Sequence, residues 1–240
     1  LSPVFGEELL RYRASSPKAS TRNLAGDLLK RSISGMPALL GGSADLACST
    51  KATLPGEPYF AANQPLGRNL AFGIREHAMG AIGNGLALSG WHLPFTSTFL
   101  SFFDYMKTPV RLAALMNLSH LFVFSHDSLH VGEDGPTHQP VEHLNSMRLI
   151  PRLRVVRPCN DQETAWAFLR FFQEGGATAL VTTRQDLPMI RPQDGADDAE
   201  GYRRFRSGAY VMADLGSRPA EVVFCASGSE VSLAMSCAQA

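Results

Sequence analysis

The sequence predicts an α/β fold, with a parallel sheet covered by helices on both faces. Short apolar runs such as residues 120–125 (HLFVFS) alternate with helical segments, and this alternation is typical of sheets built from βαβ units. Residues 125–144, which include the end of that run, hold four of the seven histidines among glycine, proline and carboxylate residues. A loop of titratable groups at the end of a buried strand is where this fold class usually carries its chemistry.

Caps and helix breakers predict the elements in order. Ser20 is a suitable N-cap for a helix that stops at Gly35. A helix over residues 74–89 contains three glycines, each of which costs roughly 1 kcal/mol of helix propensity unless another element approaches closely. The other predicted elements are strands over residues 36–40, 69–72, 120–125, 153–156 and 178–182, and helices over 99–115, from about 140, and over 160–172.

We expect residues 20–188 to form one domain, preceded by a linker segment over 1–19. Residues 50–66 are rich in proline and glycine and predict a long functional loop. The composition becomes polar and acidic after that domain, so residues 189–220 are predicted to be a linker. Residues 221–240 predict a strand (EVVFCA) and a helix that begin a further domain. Because the sequence lacks an initial methionine and stops inside this helix, we expect a longer parent protein.

The composition argues against several classes of partner. Lysine plus arginine equals aspartate plus glutamate at 22 each, so no basic surface for nucleic acid or an anionic membrane is indicated. The four cysteines are scattered and form no C-x-x-C pair, which is typical of a reducing compartment. No apolar run is long enough to span a bilayer and no signal peptide is visible. We therefore expect a soluble, cytoplasmic chain.

Several catalytic motifs are absent from the sequence. It has no G-x-x-x-x-G-K-[ST] loop, no complete G-x-G-x-x-G fingerprint and no G-x-S-x-G elbow. His138 and His143 are five residues apart, which is not the spacing of a helical zinc pair. We therefore expect no metal site made by this chain alone.

Four segments carry a family resemblance: GGSADLACS (41–49), FGIREHAMGAIGNGL (72–86), TSTFLSFFDY (96–105) and HDSLHVGEDGPTHQP (126–140). In this order and spacing they closely resemble the pyrimidine-binding, or middle, domain of transketolase. The similarity covers about residues 20–190, and residues from 221 onward resemble the start of the transketolase C-terminal domain. The resemblance implies a thiamine diphosphate-binding fold and the transfer of a two-carbon ketol unit between a ketose phosphate and an aldose phosphate.

The resemblance also implies the cofactor contacts. Glu76 matches the glutamate that hydrogen-bonds N1′ of the aminopyrimidine and so favours the tautomer that takes the thiazolium C2 proton. Without the family resemblance, Glu76 would be interpreted as an exposed glutamate at the start of a helix. The other implied cofactor residues are Asp45 and Leu46 beside the ring system and an aromatic wall of Phe99, Phe102 and Tyr105. Asp45 alone would be an ordinary turn residue. The aromatic spacing of i, i+3 and i+6 would equally suit one core-facing helix side.

The implied substrate residues fall into two groups. His126 and His138 match proton-transferring and hydroxyl-binding histidines, and Asp134 matches a group that reads the C2 hydroxyl. Arg22, Ser49 and Arg184 match the residues that bind the sugar phosphate. The chain departs from the family's usual pattern at three positions: His130 replaces a small residue, Cys48 a proline and Asp186 an asparagine. These departures concern substrate preference and phosphate affinity.

One part of the family's site has no match. The family binds the diphosphate and its Mg or Ca ion through a Gly-Asp-Gly motif on a separate N-terminal domain, and this sequence contains no Gly-Asp-Gly. The resemblance implies a homodimer in which that domain of the other subunit completes the site. We therefore expect these residues alone to be inactive. The alternatives are another thiamine diphosphate enzyme, such as dihydroxyacetone synthase or deoxyxylulose-phosphate synthase, or a stand-alone, non-catalytic binding module.

Overall fold

The computed structural model describes residues 1–132, 134–216 and 220–239. Its strands are, in chain order, β1 Lys18–Ala19, β2 Leu39–Ser43, β3 Asn69–Ala71, β4 Leu93–Phe99, β5 Leu121–Ser125, β6 Arg154–Val156, β7 Thr178–Thr182 and β8 Leu187–Pro188. Its helices are α1 Pro3–Leu10, α2 Thr21–Gly35, α3 Ala47–Thr50, α4 Glu76–Leu88, α5 Phe103–Leu115, α6 His143–Arg148, α7 Asp161–Glu174, α8 Asp198–Ser207 and α9 Val231–Gln239.

The main sheet confirms the predicted fold class. Six strands lie in the order β3-β2-β4-β5-β7-β6, and every neighbouring pair is parallel. Alternate residues of β5 point to opposite faces: Leu121 and Val123 join one buried cluster with α1, α2 and α7. Phe122 and Phe124 join the other, with α4 and α5. Strands β1 and β8 form a separate antiparallel pair.

The sequence analysis missed a strand in the middle of this sheet, β4. The helix predicted from residue 99 begins only at Phe103, after a 3-10 turn over Leu100–Phe102. Three consecutive residues of β4, Thr96, Ser97 and Thr98, are polar although they are buried. The strand therefore lacks the continuous apolar run of β5, and its pairing with β2 on one side and β5 on the other defines it.

Two segments predicted to be linkers contain packed helices. In residues 1–19, α1 buries Phe5 and Leu9 in the same cluster as α7. In residues 189–220, α8 places Tyr202 and Phe205 against Trp166 of α7, with ring centroids 6.3 and 5.9 Å away. Both helices cover α7 with an apolar face, which a linker would leave in water. Residues 217–219 lie outside the described part of the chain.

The strand predicted at residues 221–226 does not form. Its side chains Val222, Val223 and Phe224 are 69%, 75% and 54% exposed, and in the described part of the chain this segment pairs with no strand. A strand needs a partner for its backbone hydrogen bonds, so its apolar composition does not suffice. The helix predicted after it is present as α9. No helix of the described residues is long and apolar enough to cross a membrane.

Close contacts explain two of the three glycines in α4. A Cβ on Gly80 would lie 2.7 Å from Cγ of Pro109, and a Cβ on Gly83 would lie 2.2 Å from Cε1 of His120. Gly85 has no such neighbour within 4 Å. The first two glycines therefore let α4 approach α5 and the sheet closely. This packing fixes the helix whose first residue is Glu76.

Candidate active site

The predicted site residues gather at one edge of the sheet. Strands of a parallel sheet end at the same edge, and the segments that follow them lie close together. The segments after β2, β3, β4, β5 and β7 contribute Asp45, Leu46, Ser49, Glu76, Phe99, Phe102, Tyr105, His126, Asp134, His138 and Arg184, and the start of α2 contributes Arg22.

Glu76 is buried at the first position of α4, with 8% of its surface exposed. The turn before it uses Gly73 at φ +65°, and the Arg75 guanidinium donates a hydrogen bond of 3.0 Å to the carbonyl oxygen of Phe72. The carboxylate therefore lies where the N-terminal partial charge of a helix favours an anion. The alternative of an exposed surface glutamate is wrong, because the side chain is buried.

The three aromatic residues form a continuous wall, although they do not share one helix. Phe99 ends β4, Phe102 lies in the 3-10 turn and Tyr105 lies in α5. The ring centroids of Phe99 and Phe102 are 6.0 Å apart, and those of Phe102 and Tyr105 are also 6.0 Å apart. The ring centroids of His126 and Phe99 are 3.7 Å apart, and those of His138 and Phe102 are 5.2 Å apart. The wall therefore meets both predicted histidines.

His126 is held rigidly in an unfavourable conformation. Only 2% of it is exposed, and its φ of +65° places it in the left-handed region, which costs about 1–3 kcal/mol for a residue other than glycine. Its Nδ1 is 2.9 Å from the Ser125 hydroxyl oxygen. Burial, aided by the Arg22 and Arg184 guanidinium groups, lowers the pKa of His126 to about 4. The imidazole is therefore neutral at pH 7 and able both to donate and to accept a proton.

Charged side chains surround this imidazole. Asp134 Oδ2 lies 3.8 Å from His126 Nε2 and 3.4 Å from Arg184 Nε. That oxygen is buried and has no hydrogen-bond partner in the described structure. Arg22 donates from Nη1 to the carbonyl oxygen of Ser49 at 2.9 Å, while its buried Nε has no described partner. Burial and repulsion from Arg184 lower the pKa of Arg22. The cluster can therefore bind an anion that also carries hydroxyl groups.

Two threonines that the sequence analysis missed bring the arginines together. The Thr21 backbone N–H donates to Thr183 Oγ1 at 2.9 Å, and the Thr183 N–H donates to Thr21 Oγ1 at 2.8 Å. Both residues are fully buried, so the start of α2 is fixed against the end of β7. Arg22 and Arg184 each directly follow one of these residues. A reciprocal pair 162 positions apart leaves no signal in one sequence.

Asp45 and Leu46 border a separate groove of about 290 Å³ beside β2 and β3. Asp45 is exposed and has a φ of +61°, which agrees with a turn residue as well as with a site residue. Ser49 and Cys48 line the same groove. His130, one of the three departures from the family pattern, is exposed. The structure therefore places these residues at the same sheet edge as the rest of the predicted site.

A second cluster lies outside this site. His143 is buried, and its Nε2 lies 3.4 Å from Asp104 Oδ2 while its Nδ1 lies 3.8 Å from Glu142 Oε2. The three side chains are near enough to share a metal ion. The close approach of His143 to Asp104 joins the start of α6 to α5.

The fold and the site together define a class of protein: an α/β domain with a parallel sheet and a polar site at the carboxyl ends of its strands. The family description "Transketolase, pyrimidine binding domain" matches residues 17–189. The chain therefore belongs to the transketolase family.

Known proteins agree with this assignment. Transketolase of Aquifex aeolicus is 46% identical over 95% of this chain and 32% of its own length. The structure of transketolase from Leishmania mexicana covers 96% of this chain and 34% of its own, at 38% identity and a TM-score of 0.87. A Pichia stipitis transketolase complex with xylulose-5-phosphate gives 34% identity and a TM-score of 0.87 over 98% of this chain and 34% of its own. The chain spans about a third of the length of the curated relatives it matches.

Proposed function

We propose that this chain supplies the pyrimidine-binding half of a transketolase active site. The reaction is the transfer of a two-carbon ketol unit from a ketose phosphate to an aldose phosphate. The observation that carries this proposal is the cluster at the sheet edge, where Asp134 Oδ2 and Arg22 Nε are buried without described hydrogen-bond partners. A sugar hydroxyl can donate to the first and a phosphate oxygen can accept from the second. Arg184 and Ser49 complete this phosphate-binding group.

The residues present also fit thiamine diphosphate. A planar pyrimidine ring suits the aromatic wall of Phe99, Phe102 and Tyr105. The buried carboxyl of Glu76 is suited to a hydrogen bond with N1′ of that ring, while Asp45 and Leu46 are assigned to its border. When bound, the cofactor supplies the nucleophilic carbon that carries the ketol unit.

The histidines and Asp134 are assigned to the sugar. Because His126 is neutral at pH 7, it can pass a proton to or from the oxygen of the reacting carbonyl. His138, which is partly exposed above the Phe102 ring, is assigned to the same exchange from the open side. Asp134 is assigned to accept from the C2 hydroxyl, because a fixed carboxylate distinguishes the two configurations at that carbon.

The remaining parts of the site belong to partners. We assign the diphosphate and its Mg or Ca ion to a Gly-Asp-Gly domain of a second subunit in a homodimer, so no metal ligand is assigned to this chain. Exposed apolar side chains on and beside α4 and α5 support such an interface: Ile74, Ile82, Leu88, Leu112 and Leu115 are 41–78% exposed. The free cysteines Cys48, Cys159, Cys225 and Cys237 support a cytoplasmic location.

The test combines the chain with the missing domain. Ketol transfer from xylulose 5-phosphate to ribose 5-phosphate is measured for this chain alone and after mixing with a separately prepared Gly-Asp-Gly domain. We expect no transfer by the chain alone and transfer by the mixture. Glu76→Gln should lower the rate of the mixture by about 100-fold or more. Transfer by the chain alone, or full activity of the Glu76→Gln mixture, would contradict the proposal. Formaldehyde as acceptor separates dihydroxyacetone synthase from transketolase.

A further inference from the structure

A buried ion network adjoins the loop after β5, here called the substrate loop (residues 126–132 and 134–140), and its members are not among the assigned site residues. Asp127, the residue after His126, is 1% exposed, and the side chain of Arg157 is 7% exposed. Arg157 directly follows β6, and its Nε donates to Asp127 Oδ2 at 2.8 Å. The Arg157 Nη2 atom lies 2.7 Å from the same oxygen. The Nε hydrogen of Arg157 therefore points at a carboxylate that adjoins the substrate loop, and the positive charge of Nη2 lies close to the same oxygen.

The other side of the guanidinium is held by the segment 227–230, far along the chain. Arg157 donates from Nη1 to the Ser227 carbonyl oxygen at 3.0 Å and from Nη2 to Ser229 Oγ at 2.8 Å. Glu230 accepts from both terminal nitrogens. Ser229 Oγ also donates to Asp127 Oδ2 at 3.1 Å. One side chain therefore connects the loop after β5 to a segment 102 residues further on.

A glycine permits this close approach. Gly228 has a φ of +58°, and a Cβ there would lie 2.6 Å from Cγ and 2.7 Å from Nε of Arg157. Any other side chain would displace the guanidinium from Asp127. The absence of a side chain at Gly228 therefore allows the segment to pack directly against Arg157.

We propose that Arg157 is a positioning residue for His126, and that segment 227–230 is part of the support of the substrate loop. The role of His126 itself rests on the proposed function. A left-handed conformation persists in a residue other than glycine only where its neighbours fix it. Ser125 holds the imidazole on one side, and Asp127, held by Arg157, fixes the backbone on the other. Loss of the guanidinium removes its hydrogen bond to Asp127 and lets the His126 backbone relax toward solvent.

The test uses the titration of His126 in the intact chain, followed by NMR of the imidazole Cε1–H signals between about pH 3 and 7. His126→Gln identifies the signal. In the parent chain we expect the midpoint of the His126 titration near its pKa of about 4. In Arg157→Lys the pKa should rise by at least about one unit, a tenfold change in proton affinity. Lysine keeps the positive charge but lacks the fork, so the shift reports position rather than charge.

The matched control is Arg154→Lys. Arg154 begins β6 at the opposite sheet edge, where it binds Glu174 and the Gly175 carbonyl oxygen. This variant should lose comparable stability and leave the His126 signal unchanged. A His126 signal in Arg157→Lys that matches the parent within 0.3 pH unit, or an equal shift in Arg154→Lys, would overturn the proposal.

A milder variant covers the case in which Arg157→Lys does not fold. Glu230→Gln changes only a partly exposed carboxylate of the support and should raise the His126 pKa in the same direction by a smaller amount. No shift in this variant would likewise overturn the role of segment 227–230. The readout needs neither cofactor nor ketol transfer, so its failure is distinct from failure of the proposed function.

Discussion

The contact between α4 and His120 makes a sharp prediction about Gly83→Ala. The added Cβ would lie 2.2 Å from Cε1 and 2.6 Å from Nε2 of an imidazole that is fully buried. That ring cannot move freely, because its nitrogens lie 2.9 Å from Thr96 Oγ1 and Asn84 Oδ1. Overpacking costs about 1–3 kcal/mol, and a lost hydrogen bond costs about 1 kcal/mol more. The gain in helix propensity returns about 1 kcal/mol, so we expect a net loss of about 1–3 kcal/mol.

Gly85→Ala on the same helix is the matched control. No heavy atom lies within 4 Å of a Cβ there, so this variant should gain about 0.5–1 kcal/mol from helix propensity and reduced freedom of the unfolded chain. Urea unfolding followed by circular dichroism measures both variants against the parent chain. Equal or greater stability of Gly83→Ala, or destabilisation by Gly85→Ala, would refute the packing argument.

Three further predictions concern stability and binding. Burial lowers the pKa of His120 to about 3, whereas in the unfolded chain its pKa has the ordinary value of about 6.5. Acidification below about pH 6.5 therefore lowers the free energy of unfolding by up to about 1.4 kcal/mol per pH unit. Urea unfolding at several pH values should show a smaller dependence on pH for His120→Gln than for the parent chain. Thr21→Val leaves the buried Thr183 N–H unpaired and should lower the free energy of unfolding by about 1–3 kcal/mol, with an unchanged value arguing against the threonine pair. In the assembled enzyme, Arg184→Lys should raise KM for the sugar phosphate about tenfold with little change in kcat; the exposed Arg203→Lys serves as control, and an unchanged KM would remove Arg184 from the phosphate group.

The sequence predicted the helices and strands well where a local pattern of apolar or capping residues marks them. The apolar runs of β5 and β7 and the capped helix α7 lie within two residues of their predicted positions. The predicted site residues lie together, since the parallel order of strands brings their carboxyl ends to one edge. The family motifs identified candidate site residues such as Glu76 and His126. The burial of Glu76 and the left-handed backbone of His126 were not visible in those motifs.

Long-range pairing decided the rest. Among the described residues, the apolar run at 221–226 pairs with no strand and forms none, while the polar run in β4 lies between β2 and β5 and is a strand. The supports of the site are equally non-local, because Thr21 binds Thr183 and Arg157 joins Asp127 to Glu230. A sequence by itself determines which side chains are apolar, charged or able to cap a helix. Whether a buried polar group finds its partner depends on segments that meet only in the folded chain, and the tertiary structure alone decided that.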